Sequence, residues 1–123
     1  MSRYRGLTLR VLAKGAPAMG PGKAELIARI GQTGSISAAA RAMGMSYRRA
    51  WQLVEALNAA YREPVVTTAV GGPSGGGARV TAFGKHLVVL FRAMEDKASA
   101  AIAADLRRFD RHLRVRRNPR EHR

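Results

Sequence analysis

Cysteine is absent from this chain, which excludes disulfides, thiolate zinc sites and cysteine nucleophiles together and leaves the redox compartment open. Aromatic residues are scarce at 6%, and alanine supplies much of the 46% apolar content. That balance favours small, close-packed helices over a broad β-sandwich. No apolar run approaches the roughly 18 residues needed to span a bilayer. Residues 1–18 imitate a signal peptide, ending in Ala16-Pro17-Ala18, but Arg10 and Lys14 interrupt the apolar part. Export is therefore rejected, and a soluble, cytoplasmic, nucleoid-associated protein with no membrane partner is expected. His86, His112 and His122 are scattered without the spacing of metal ligands, and no serine or carboxylate is paired with them by pattern. A non-enzyme is expected. Gly20-Pro21-Gly22-Lys23 lacks the upstream glycine and the hydroxyl of a phosphate-binding loop, so nucleotide binding is rejected as well.

Acidic residues are also few. Eight Asp and Glu face 22 Lys and Arg, for a formal net charge of +14 on 123 residues. Residues 105–123 hold eight arginines against Asp105, Asp110 and Glu121, but the rest of the chain is basic without them. A basic folded body points to a polyanionic partner. The length suits one domain with appendages, burying roughly two-thirds of the surface exposed by the unfolded chain.

Alternation of Leu7, Leu9 and Val11 with Thr8 and Arg10 predicts a strand over Leu7 to Lys14, and Gly15 to Gly22 reads as a loop. From Lys23, Leu26, Ile27 and Ile30 share a helical face, with Glu25 and Arg29 in an i, i+4 pair and Gly34 as the stop. Ser35 and Ser37 are both capping types for a short Ala-rich helix ending at Gly44. Ser46 caps a third helix running to about Asn58, with Ala50, Leu53, Val54 and Leu57 facing inward. Val65 to Val70 and Ala78 to Val80 predict a hairpin whose tip, Gly71 to Gly77, is rich in glycine. Thr81 opens a long last helix whose apolar stripe runs from Phe83 to Phe109, and the arginine-rich end beyond about Arg114 is expected to be disordered.

The order strand, helix, helix-turn-helix, hairpin, helix predicts an α+β, mainly helical fold: a winged helix-turn-helix with an N-terminal strand and a long C-terminal helix. Its expected parts are a DNA-binding domain over 1–97, a helical extension over 98–113 and a basic tail over 114–123. The helix from Ser46 to Asn58 is about 18 Å long, and a major groove roughly 12 Å wide admits it, N-terminal turns nearest the base edges. Double-stranded DNA is the expected partner. Arginine can present two donors to guanine and glutamine can pair with adenine. The candidate DNA-binding residues are Ser35, Ser37, Ser46, Tyr47, Arg48, Arg49 and Gln52 on the helices, and Gly72, Ser74, Gly75 and Gly76 in the wing. Arg79 and Lys85 flank the wing. Arg48 is expected to face outward and Arg49 to grip phosphate. Tyr47 is balanced between phosphate contact and packing, while Trp51 is read as core or dimer packing. Backbone N–H groups of the glycine tip can reach phosphate oxygens, a reading balanced against a floppy turn with no DNA contact.

GSISAAARAMGMSYRRAW, followed by the glycine-tipped hairpin and Thr81-Ala82-Phe83-Gly84 opening a helix, resembles the N-terminal DNA-binding domain of molybdate-responsive transcription regulators of the ModE type. The resemblance covers about Leu7 to Lys97. The helix-turn-helix part is also similar, more weakly, to LysR-type regulators. The resemblance implies a winged-helix homodimer, with dimer contacts from the N-terminal strand and from the last helix, which it makes a long C-terminal dimerisation helix. Family members carry C-terminal molybdate-binding domains where this chain carries an arginine tail. Molybdate sensing is therefore not expected, no cofactor is assigned, and any signal is expected from another effector or protein partner. The leading expectation is a sequence-specific, homodimeric transcription regulator. The alternative is a non-specific architectural protein that binds DNA by charge and shape.

Overall fold

The computed structural model describes residues 6–72 and 75–115. Strands β1 (Val11–Ala13) and β2 (Ala16–Met19) form an antiparallel hairpin. Lys14 and Gly15 join them at φ 53° and 82°, two positive values in succession as a two-residue type I′ turn requires. Three helices follow: α1 (Pro21–Thr33), α2 (Ile36–Ala42) and α3 (Tyr47–Ala60). A second antiparallel hairpin, β3 (Val66–Gly72) with β4 (Gly75–Val80), leads into α4 (Ala82–Ala101) and α5 (Ala103–Asp110). The fold is α+β and mainly helical, with two small sheets.

Three expectations need correction. The segment Leu7 to Gly22 is not one strand and a loop but an irregular lead, a hairpin and the start of a helix. Pro17 hides β2 from a reading by propensity. In a two-stranded sheet every strand is an edge, so a residue without an N–H is tolerated. α1 begins at Pro21 and not at Lys23, because proline at the first helical position has a suitable φ and lacks an N–H that the first turn leaves unpaired anyway. The apolar stripe from Phe83 to Phe109 is not one helix. The chain breaks at Ile102 (φ −106°, ψ 8°) between α4 and α5. Apolar spacing of three and four residues survives a one-residue kink, so the stripe does not report it.

The local signals act as their chemistry dictates. Gly34 ends α1 at φ 69°, its N–H donating to the Ile30 carbonyl at 2.8 Å. Of the two candidate serines, Ser35 is the cap of α2, its Oγ accepting from Ala38 N at 3.0 Å. Ser37 Oγ instead accepts from Arg41 Nη1 at 3.1 Å. Ser46 accepts from Arg49 N at 3.1 Å and Thr81 from Gly84 N at 2.9 Å, each satisfying an amide that the first helical turn leaves free.

The core gathers Leu26, Ile27 and Ile30 from α1, Ala39 and Ala40 from α2, and Ala50, Val54 and Leu57 from α3. Val65, Val66, Val80 and Phe91 join them, as do Met19, Ala24 and Ile36. The alanines of α2 keep its buried face thin, so α1 and α3 both pack against it closely. Hydrogen bonds among the described residues hold the second hairpin to this body and close its base. The Asn58 carboxamide accepts from Val65 N and Val66 N at 2.8 and 3.1 Å and donates to the Val66 carbonyl at 2.9 Å. Ala78 N donates to the Gly34 carbonyl at 2.9 Å, and the Thr81 hydroxyl donates to the Pro64 carbonyl at 2.7 Å. The first hairpin is tied by Tyr61, whose hydroxyl donates to the Ala18 carbonyl at 2.8 Å. Partial burial pushes that phenol above its ordinary pKa.

Candidate nucleic-acid interface

At about 100° of rotation per residue, α3 divides into distinct faces. Ala50, Val54 and Leu57 point inward and are buried. Arg48, Gln52 and Glu55 lie on the far side and are exposed. Tyr47 and Trp51 occupy one flank, Arg49, Leu53 and Ala56 the other. The first turn of α3 therefore stands as a ridge bearing Arg48, with a groove on each side.

The groove beneath the Tyr47 flank has a volume of about 430 Å³ and lies between the start of α2, the start of α3 and the second hairpin. Ser35, Ser37, Tyr47, Trp51, Thr68 and Ala78 line it, among others. The Tyr47 and Trp51 rings stack with centroids 6.4 Å apart and planes 10° from parallel. Tyr47 is 56% exposed, whereas Trp51 is half-buried and packs against the core. The groove on the other flank has a volume of about 510 Å³ and takes in Arg49 and Gln52. Among the described residues, no acidic side chain lines either groove.

The remaining candidates fall elsewhere. Ser46 is occupied as the cap of α3. In the hairpin, Thr67 pairs with Arg79, Thr68 with Ala78, Ala69 with Gly77 and, after an irregularity, Gly72 with Gly75. Gly76 belongs to β4, and Ser74 lies outside the described residues. Strand alternation puts Arg79 on the hairpin face opposite buried Val66 and Val80, and it is exposed. Lys85, in the first turn of α4, is exposed and lines neither groove. The fold thus gathers Ser35, Ser37 and Tyr47 on one side of the ridge and Arg49 and Gln52 on the other. Arg79 and Lys85 stand apart.

Sequence reasoning missed the contribution of Thr68 and Trp51 to the first groove and that of Arg10 and Lys23 to the second. Trp51 has the spacing of a packing residue, and it does pack; its second edge becomes legible only when the hairpin is in place. Arg10 was legible only as an interruption of an apolar segment, because nothing local relates it to α3. Among the described residues, no cluster of His, Asp or Glu could hold a metal ion, and no helix is long and apolar enough to cross a membrane.

No protein-family model matches the chain. It is 44% identical over 105 residues to the molybdenum-pterin-binding protein MopB of Rhodobacter capsulatus, covering 85% of this chain and 37% of that protein. It is 40% identical to MopA of the same organism, also named a molybdenum-pterin-binding protein, over 72% of this chain and 33% of MopA. The DNA-binding transcriptional dual regulator ModE of Escherichia coli is 37% identical over 58% of this chain and 27% of its own length. The chain thus spans about a third of the length of the relatives it matches. These findings overturn the expectation of no cofactor. That expectation rested on where the sequence stops, whereas relatives matching most of this chain are named for binding molybdenum-pterin. Over the matched segments, this chain is a homologue of proteins named MopA, MopB and ModE, at 35–44% identity.

Proposed function

We propose that this chain is the winged helix-turn-helix DNA-binding unit of a molybdenum-responsive transcription regulator of the ModE type, acting as a homodimer on a sequence-specific site. In this reading α2 and α3 are the helix-turn-helix, α3 is the recognition helix and the hairpin β3–β4 is the wing. The observation that carries it is the ridge of α3, where Arg48 and Gln52 are exposed between two grooves lined by no acid among the described residues, on a chain of strongly positive charge. Arg48 and Gln52 read base edges in the major groove. Tyr47, Ser35 and Ser37 meet the phosphates of one strand, with Arg49 on the opposite flank and the glycine tip of the wing along the backbone. The Escherichia coli relative ModE, a DNA-binding transcriptional dual regulator by name, supports the same activity. The names of MopA and MopB support a molybdenum compound as the signal.

Selection of bound duplexes from a random pool, followed by footprinting, tests the reading. Two protected half-sites about 34 Å apart are expected, with a preference over random DNA of about 10³ or more. Arg48→Ala should cost about 1–3 kcal/mol at one base pair while leaving the salt dependence almost unchanged. Uniform protection of every fragment would replace this reading with that of an architectural protein. Molybdate or tungstate added to the same assay should change operator affinity; indifference to both would remove the molybdenum signal.

A further inference from the structure

The groove on the Arg49 flank of α3 is built from three cations on three separate elements. Arg10 precedes β1, Lys23 sits in the first turn of α1 and Arg49 in the first turn of α3. Chain topology alone brings them together. Lys23 Nζ donates to the Pro17 carbonyl at 2.8 Å, which anchors it at the lip of the groove. The guanidinium groups of Arg10 and Arg49 have no ion-pair or hydrogen-bond partner among the described residues. The nearby acid on α1, Glu25, is turned to Arg29 at 3.5 Å. Gly20 and Gly22 leave one stretch of the floor without side chains, beside Pro21, Met45, Leu53 and Ala56. A Cβ on Gly20 would lie 3.5 Å from the Cγ of Arg10, so the arginine stem runs directly over this floor, and the space above Gly22 is open.

We infer that this groove is a second DNA-backbone contact, in which Arg10, Lys23 and Arg49 take phosphodiester oxygens of the strand on the side of the major groove opposite the wing. The inference rests on the proposed entry of α3 into that groove. A helix seated there has a sugar-phosphate backbone on each flank; the Tyr47 flank serves one and the cationic groove the other. The open space at Gly22 lets a phosphate approach that part of the floor closely, and unpartnered guanidinium groups supply charge-assisted donors to it. The N-terminal hairpin, and not only the helix-turn-helix and wing, then touches DNA.

The test is DNA affinity as a function of salt for the full chain and for Arg10→Gln, Lys23→Gln and Arg10→Lys, on a selected operator and on a random duplex. Each lost phosphate contact should flatten the log–log salt slope by about 0.9. Arg10→Gln and Lys23→Gln should each flatten it by that amount and weaken both duplexes by the same factor, while Arg10→Lys keeps the slope. Arg48→Ala serves as the control that weakens the operator alone. Wild-type slopes in both glutamine variants, with the Arg48→Ala loss intact, overturn this inference and leave the recognition-helix reading standing. Failure of the unaltered chain to bind duplex DNA overturns both. A thermal shift with inorganic phosphate or molybdate that Arg10→Gln abolishes, beside unchanged DNA slopes, assigns the groove to a free oxyanion and also overturns it.

Discussion

Among the described glycines, Gly84 has the least room for a Cβ. It lies in the first turn of α4 and is buried. A Cβ there would stand 2.5 Å from the Val65 carbonyl oxygen and 3.0 Å from methyl groups of both Val65 and Val80. Backbone must move to admit it, so Gly84→Ala is expected to cost about 1–3 kcal/mol, the range for overpacking a well-filled site. Against this stands the helix propensity of alanine, which favours it over glycine by about 1 kcal/mol. A denaturant melt settles the sign, and a midpoint at or above that of the unaltered chain would show that β3 yields freely. Sequence reading named Gly84 only as part of a family-like motif. The capping residues were far more legible, because a cap acts on an amide three residues away. Ser46 and Thr81 could be named in advance, and the choice between Ser35 and Ser37 alone needed coordinates.

At the scale of elements, the relation between α3 and the second hairpin depends on Asn58. Its one carboxamide makes three hydrogen bonds to the start of β3, at 2.8, 3.1 and 2.9 Å. Val65 and Val66 are themselves buried, so water cannot readily replace the lost partner. Asn58→Ala is expected to destabilise by about 1–3 kcal/mol, the cost of leaving buried backbone groups unpaired. Asn58→Asp, which keeps the acceptor and loses the donor, should fall between the two. If thermal melts of both variants match the unaltered chain, the carboxamide is not what positions the hairpin. The helices α2 and α3, the hairpin β3–β4 and the inward face of α3 were legible, because their patterns repeat within one turn or one strand, whereas the start of α1 and the break before α5 were not. The first hairpin was not, since Pro17 argues locally against a strand that pairing with β1 creates.

At the scale of the molecule, α4 and α5 carry apolar side chains with no cover in a single chain. Leu90 is 48% exposed, Met94 42% and Phe109 60%. The first two lie one turn apart on α4, beside the face that packs on the core. The homodimer proposed above accounts for them. Leu90→Asp combined with Met94→Asp is expected to shift the chain from dimer to monomer in sedimentation. Operator affinity should fall by about 10²–10⁴, the avidity gained when two linked modules bind together, and the footprint should shrink to one half-site. An unaltered chain that sediments as a monomer at every concentration tested would end this account.

The amino-acid sequence by itself determined α1 to α4 in outline, the caps Ser46 and Thr81, the buried stripes of α1 and α3, the basic character of the domain and the exposed first turn of α3. Those features depend on neighbours within about four residues and on net charge, which any chain order preserves. Only the tertiary structure decided that α4 gives way to α5 at Ile102, that Asn58 holds β3, and that Arg10 and Lys23 lie beside Arg49. Each of those follows from segments meeting after the chain has packed, and periodicity along the sequence carries no record of such meetings.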